Sequence, residues 1–154
     1  MVIGDHQIDA QFFAQLRFRN GSNAAVHGDD QLDPFAMEVS YWSEVKNGVL
    51  GVPQSLLEEY GAVSEPVARA MAEGARKVTG AELAVSVTGV AGPDSDDRGN
   101  PVGLVFVGLA TEKGTFCRKL DLGRRRRDRI RGVSTNHAFD MIRRYLTGLD
   151  PEAM

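Results

Sequence analysis

Two short runs rich in β-branched residues, Ala84-Val-Ser-Val-Thr88 and Val102-Gly-Leu-Val-Phe-Val-Gly-Leu109, stand on either side of a stretch that no regular element can occupy. Gly89, Gly92, Pro93, Gly99 and Pro101 punctuate that stretch, and the residues between Pro93 and Pro101 are mostly polar. A chain so built has to run strand, loop, strand. Both runs are more continuously apolar than alternating, which is the texture of strands covered on both faces in an α/β sandwich. A loop leaving the end of such a strand is where open α/β sheets hold ligands. Thr88 offers a hydroxyl there, and Gly89 and Gly92 let backbone N–H groups come close to an anion or a carbonyl oxygen.

Helical patterns surround this centre. Residues 35–42, Phe-Ala-Met-Glu-Val-Ser-Tyr-Trp, suit a strand, after which Ser43 can cap a helix through Glu44, Val45, Lys46, Val49 and Leu50 that Gly51 ends. Pro53 opens a second short helix over 54–60, stopped by Gly61. Ser64 starts a third, with Glu65 favourable to the helix dipole and Pro66 tolerated in the first turn. Val67, Ala70, Met71, Gly74, Ala75 and Val78 fall on one face of it, and Gly80 closes it. Thr115–Leu122 is expected as a more exposed strand entered through the turn Glu112-Lys-Gly114, with Phe116 set against Arg118 and Leu120 against Asp121. A last helix runs from about 128 to 146, with Ile130, Val133, His137, Ala138, Met141, Ile142 and Tyr145 on one face and Gly148 beyond its end. Residues 1–34 carry little pattern. Phe12, Phe13, Leu16 and Phe18 predict one face of a short helix, and Asn20-Gly-Ser-Asn23 and His27-Gly-Asp-Asp30 break anything longer. The expected architecture is a single α/β domain, a three-layer α/β/α sandwich with a mixed sheet, spanning 35–148 behind an N-terminal segment 1–34.

The 154 residues fit one domain with a sizeable core. No apolar run approaches the ~18 residues of a membrane span, and the acidic start lacks the form of a secretory signal, so a soluble cytoplasmic protein is expected. Cys117 is the single cysteine, which excludes an internal disulfide and a thiolate zinc cluster, and its strand-like setting reads as that of a small buried hydrophobe. His6 and His27 lack partners at metal-ligand spacing and read as solvated, and His137 reads as a satisfied core histidine. No metal site is expected. A net charge of −3 disfavours nucleic acid as a partner of the whole surface.

Two groups of residues could carry chemistry. Arg124-Arg-Arg-Arg127, followed by Arg129 and Arg131, sits where cations oppose a helix dipole at a cost of a few tenths to ~1 kcal/mol each. A phosphate held by the helix start and an arginine would remove that cost. Tyr41 and Lys46 lie at a strand end and in the first turn of the helix after it. A lysine that is partly buried or beside other cations can act as a base, while a tyrosine can hydrogen-bond a reacting group.

Tyr41-Trp-Ser-Glu-Val-Lys46, Val49-Leu-Gly-Val52, Tyr60-Gly-Ala-Val-Ser-Glu65, Ala70-Met-Ala-Glu-Gly-Ala-Arg76, Val87-Thr-Gly-Val-Ala-Gly-Pro93 and Pro101-Val-Gly-Leu104 follow one another in a distinctive order and spacing. Over about 39–146 they resemble the C-terminal domain of the competence/damage-inducible protein CinA, which also occurs as a stand-alone nicotinamide mononucleotide deamidase. The resemblance implies an α/β/α fold, a homo-oligomer, and hydrolysis of the carboxamide of nicotinamide mononucleotide, or of a similar phosphorylated small molecule, with release of ammonia and without metal or organic cofactor. It implies that Tyr41 and Lys46 are the family's Tyr and Lys, that Thr88 and Gly89 form its Thr-Gly loop, and that Arg127 is the arginine preceding its last helix. On that basis Lys46 serves as base for a serine nucleophile that Tyr41 positions. Thr88 and the backbone at Gly89 hold the amide or its oxyanion, with Gly92 also lining the substrate site, and Arg127 grips the ribose phosphate. The chain departs from the family twice. The word Ala-Glu-Ser-Cys-Thr-Gly-Gly that carries the serine is absent upstream of Tyr41, its place by spacing falling near Ala14, and the Gly-Asp before the family's arginine has become Arg125-Arg126. The alternative function is therefore a catalytically inactive nucleotide-binding or interaction domain of the same fold.

Overall fold

The computed structural model describes residues 12–16 and 43–154 of the chain. Strands β2 (Leu83–Gly89), β3 (Leu104–Thr111) and β4 (Gly114–Asp121) form a meander, and β1 (Phe12–Leu16) pairs on the other side of β2. The sheet order is β1-β2-β3-β4, and all three pairings are antiparallel. The strand expected at 35–42, and with it any parallel pairing of a mixed sheet, lies outside the described residues.

Side chains alternate across a strand, so the register decides which residues share a layer. Val85 pairs with Leu109 and Val87 with Val107. With Leu83, Val105 and Leu120 they pack against Ile130, Ala138, Met141 and Ile142 of the long helix Arg127–Leu146. Each fully buried Val or Leu there contributes about 1.5–3 kcal/mol. The opposite face carries small residues, Ala84, Ser86, Gly108 and Ala110, under the helix Glu65–Thr79. Their size lets that helix approach: Ser86 Oγ donates to Ala68 O at 2.6 Å, and a Cβ on Gly108 would stand 2.6 Å from the same carbonyl oxygen. One helix on each face of one sheet makes the three-layer α/β/α domain.

In chain order the helices are α1 (Ser43–Gly48), α2 (Gln54–Tyr60), α3 (Glu65–Thr79) and α4 (Arg127–Leu146). α3 begins after Ser64 with proline in its first turn. It ends at Gly80, whose left-handed φ of 65° brings its N–H to Arg76 O at 3.0 Å. Val52 and Leu57 cover the outer side of α3 at Val67 and Met71. Gly74 admits this layer, since a Cβ there would run into the carbonyl oxygen of Leu50.

Four expectations change. The segment at Phe12, Phe13 and Leu16 is a strand instead of a short helix, because the ladder of β2 is open beside it and aromatic residues suit a strand. Helix α1 stops at Gly48, so Val49 and Leu50 belong to the turn that meets Gly74. Val78 is exposed, the stripe on α3 having rotated off the sheet by its last turn, with Ala68 and Ala72 buried in its place. Arg118 lies on the same face as Phe116 and Leu120 and is buried. Its parity puts it beneath α4, where polar groups receive it: Nε donates to Pro151 O at 2.7 Å and Nη2 to Asp140 Oδ2 at 2.9 Å. His137 is the third neighbour, its Nδ1 3.3 Å from Arg118 Nη1.

Candidate functional site

The end of β2 and the residues that follow it are held from both sides. On the α3 side, Thr88 is fully buried and its hydroxyl donates to Ala62 O at 2.7 Å, pinning the turn between α2 and α3 to the sheet. At Gly89 a Cβ would come within 2.9 Å of Val105 Cα and 2.8 Å of Leu104 O, so glycine is required by the closeness of β3. Val90 N–H donates to Leu104 O at 2.9 Å and Gly103 N–H to Val90 O at 2.8 Å, carrying the pairing one residue past the strand. Gly92 then turns out of the sheet with a left-handed φ of 85° and is partly open to solvent.

The arginine run meets the loop here. Arg127 Nη1 donates to Gly92 O at 3.1 Å, and Arg124 Nη2 to Pro93 O at 3.4 Å. Arg126, at the N-cap of α4, makes no side-chain cap and lies 3.3 Å from Asp128, while Arg125, Arg126, Arg129 and Arg131 are exposed. The start of α4 and the turn at Gly92 thus form one basic corner with uncapped helix N–H groups beside it, an arrangement that suits an anion.

Sequence reasoning missed two features. Asp96 organises the loop by accepting from Arg98 N–H at 3.0 Å, Asn100 N–H at 2.8 Å and Asn100 Nδ2 at 2.7 Å. Arg98 then reaches across to the last carbonyls of α2, donating to Glu59 O at 3.0 Å, Leu57 O at 3.3 Å and Glu58 O. The Asp-x-x-x-Asn spacing is a turn signal that could have been read, whereas nothing local in the sequence marks Arg98 as a helix cap from 40 positions away.

Lys46, on α1, is 1% exposed, and its carbonyl accepts Val52 N–H at 3.0 Å. The neighbouring Asn47 Nδ2 donates to Val52 O at 2.8 Å, so this turn is fastened twice. Of the sequence-predicted residues, Thr88, Gly89 and Gly92 follow one another along a single rim, Arg127 is joined directly to Gly92, and Lys46 lies buried before the turn that rests on α3. Tyr41 lies outside the described residues. A groove between Arg76, Lys77, Ala110 and Thr115 opens at the opposite end of the sheet and holds none of them. Among the described residues no cluster of His, Cys, Asp and Glu could hold a metal ion, and no helix is long and apolar enough to cross a membrane. The Cys117 thiol is pushed up to about 12, by burial first and then by Glu65 and Glu152 against the pull of Arg69, which is the setting of an inert thiol.

Residues 36–146 match the family model described as CinA C-terminal domain. The chain is 50% identical over 110 residues to a competence-damage inducible protein of Caldanaerobacter subterraneus, covering 71% of this chain and 26% of that one. To one of Streptococcus agalactiae it is 45% identical over 107 residues, or 70% and 25% of the two chains. It spans about a quarter of the length of the curated relatives it matches. Among solved structures, the competence/damage inducible protein CihA of Agrobacterium tumefaciens superposes with a TM-score of 0.64 at 35% identity, over 67% of this chain and 63% of that one. The competence damage-inducible protein A of Klebsiella pneumoniae gives 0.66 at 25% identity, over 70% and 66%. The chain belongs to the CinA C-terminal domain family.

Proposed function

We propose that this domain is an amidohydrolase of the nicotinamide mononucleotide deamidase type, breaking the C–N bond of the carboxamide, forming the carboxylic acid and releasing ammonia. The observation that carries this reading is Lys46: it matches the family's lysine, and the fold withdraws it from solvent although burying an ammonium is costly. Lys46 takes the proton of the attacking hydroxyl and passes it to the departing nitrogen, which leaves as ammonia, Tyr41 positions that hydroxyl, and water then cleaves the acyl bond to give the acid. Thr88 and Gly89 form the amide-holding wall from behind, since both are buried and Thr88 holds the turn at Ala62. Gly92, open at the rim, is the part a ligand reaches. Arg127, next to it, binds the phosphate. No metal or organic cofactor enters, and the setting is cytoplasmic and the assembly a homo-oligomer.

A second reading, a nucleotide-binding domain without turnover, is favoured by one observation: the family's serine word is absent from the sequence ahead of Tyr41. Losing the nucleophile of a covalent hydrolase costs up to ~10⁶ in turnover while binding can survive. Calorimetry with nicotinamide mononucleotide, run beside an ammonia assay, separates the two. Heat of binding with ammonia release supports the amidase, and binding without ammonia supports the silent domain. Arg127→Ala is expected to weaken the mononucleotide about tenfold or more and to leave the unphosphorylated riboside nearly unchanged. Equal weakening of both would remove Arg127 from the phosphate site.

A further inference from the structure

The loop between β2 and β3 is ordered in two pieces. Its base belongs to the sheet: Val90 and Gly103 extend the pairing of the strands, a Cβ on Gly92 would stand 3.0 Å from Val102 Cγ1, and Arg127 and Arg124 hold the carbonyls of Gly92 and Pro93. Its tip is ordered by itself. Asp96 collects the N–H groups of Arg98 and Asn100 and the Asn100 side-chain amide, and Gly99 N–H donates to Asp96 O at 2.9 Å. Asp94 and Ser95 on one side and Pro101 on the other, all exposed, join the two pieces.

Neither piece needs the side chain of Arg98 for its own order. That side chain leaves the tip and crosses to α2, where it meets the carbonyls of Leu57, Glu58 and Glu59. The last carbonyls of a helix lack intrahelical partners and form the negative end of its dipole, so a guanidinium is well received there. Gly61 keeps the seat open, since a Cβ on it would run into Arg98 Cδ. α2 leads into the turn that Thr88 ties to the α3 side of the sheet, while Arg124 and Arg127 lie at the start of α4 on the other side. Residues 93–101 therefore run as a strap from the start of α4 to the end of α2, across the close of β2 and beside Gly92.

We propose that Arg98 is a positioning residue for this site: its latch on α2 holds the strap down beside Gly92, so that residues 93–101 close on a ligand bound there. The proposal rests on the reading of Gly92 and Arg127 as the place where the mononucleotide is held. Arg98 touches no reacting group and acts through the loop. Its mark is therefore on the rate at which the ligand leaves, and not on the chemistry.

Two spin labels, at Asp97→Cys on the tip and Ser55→Cys on α2, with Cys117→Ser to remove the native thiol, read the latch without ligand. Both labelled positions are exposed. One narrow distance is expected with Arg98 in place, and a broad distribution reaching longer distances after Arg98→Ala. Stopped-flow binding of nicotinamide mononucleotide reads the bearing of the latch on the site. Loss of the charge-assisted bonds is expected to speed dissociation about tenfold in Arg98→Ala, with association nearly unchanged. Arg98→Lys, which keeps a cation at the end of α2, is expected to recover most of the difference. A variant that is merely less stable would lose binding-competent molecules with its rate constants intact. A label distance indifferent to Arg98→Ala overturns the latch, and a widened distance with an unchanged dissociation rate overturns its role at the site. Absence of binding to the parent, with the distance still widened by Arg98→Ala, contradicts the reading of the site and leaves the latch standing.

Discussion

Arg118 shows how much one side chain can bind together. It is buried under α4 and is met by the carbonyl of Pro151, the carboxylate of Asp140 and the ring of His137, so α4 and the turn after it both close on one guanidinium. Removing the guanidinium strands the buried Pro151 carbonyl while Asp140 keeps Arg143, and Arg118→Met is expected to cost about 1–3 kcal/mol in urea unfolding. A loss below ~1 kcal/mol would show that solvent already satisfies these groups. His137 adds a pH dependence. Burial first, and then the positive charge of Arg118, hold its imidazolium below the ordinary 6.5, while Asp140 opposes them. The folded state therefore binds its proton less readily than the unfolded chain does. Its contribution to stability is complete above 6.5 and is lost as pH falls from 6.5 through the lowered value. Thermal midpoints should decline on acidification across that window, and His137→Gln should flatten the decline. A slope unchanged by the substitution would assign it elsewhere.

Among the elements, α3 is the one on which the others are seated. The sheet lies under Ala68, the turn after α1 lies on Gly74, and the turn at Ala62 is tied to Thr88. Gly74→Ala drives a methyl into the carbonyl of Leu50, and about 1–3 kcal/mol of destabilisation is expected. The displaced turn follows directly on the helix that bears Lys46, and Lys46 O accepts Val52 N–H across it, so ammonia release should fall by more than the folded fraction does. Elements with punctuation at both ends were legible: α3 between Ser64 and Gly80, α2 between Pro53 and Gly61, and β2 before its glycine loop. β1 was not, because five residues containing two phenylalanines fit a helical face as well as a strand, and only the open ladder of β2 decides between them. Arg118 was misjudged because an arginine in an alternating strand is read as outward, and the groups that neutralise it come from α4 and the turn beyond. Arg98 is a cap of the same distant kind. Arg98→Ala removes the side-chain donor to the carbonyls of Glu58 and Glu59, Leu57 O keeping Gly61 N–H, and should raise hydrogen exchange at the end of that helix, with unaltered exchange as the contrary result.

For the whole molecule, the two helical layers bring Gly92 and Arg127, 35 positions apart in the chain, into one hydrogen bond at the rim of the sheet. That convergence was legible as a family resemblance and not from either residue alone, since a basic run before a helix is usually a solvated face. The burial of Lys46 was not legible at all, because the short helix that bears it is polar on its own and is enclosed only by its neighbours. The proposed chemistry rests on that lysine. Ammonia release from nicotinamide mononucleotide by the purified chain, measured beside Lys46→Ala with folding checked by circular dichroism, addresses it most directly. Turnover by the parent chain and its loss in the folded variant are predicted. A folded variant as active as the parent, or a parent that binds the mononucleotide and releases no ammonia, would contradict it.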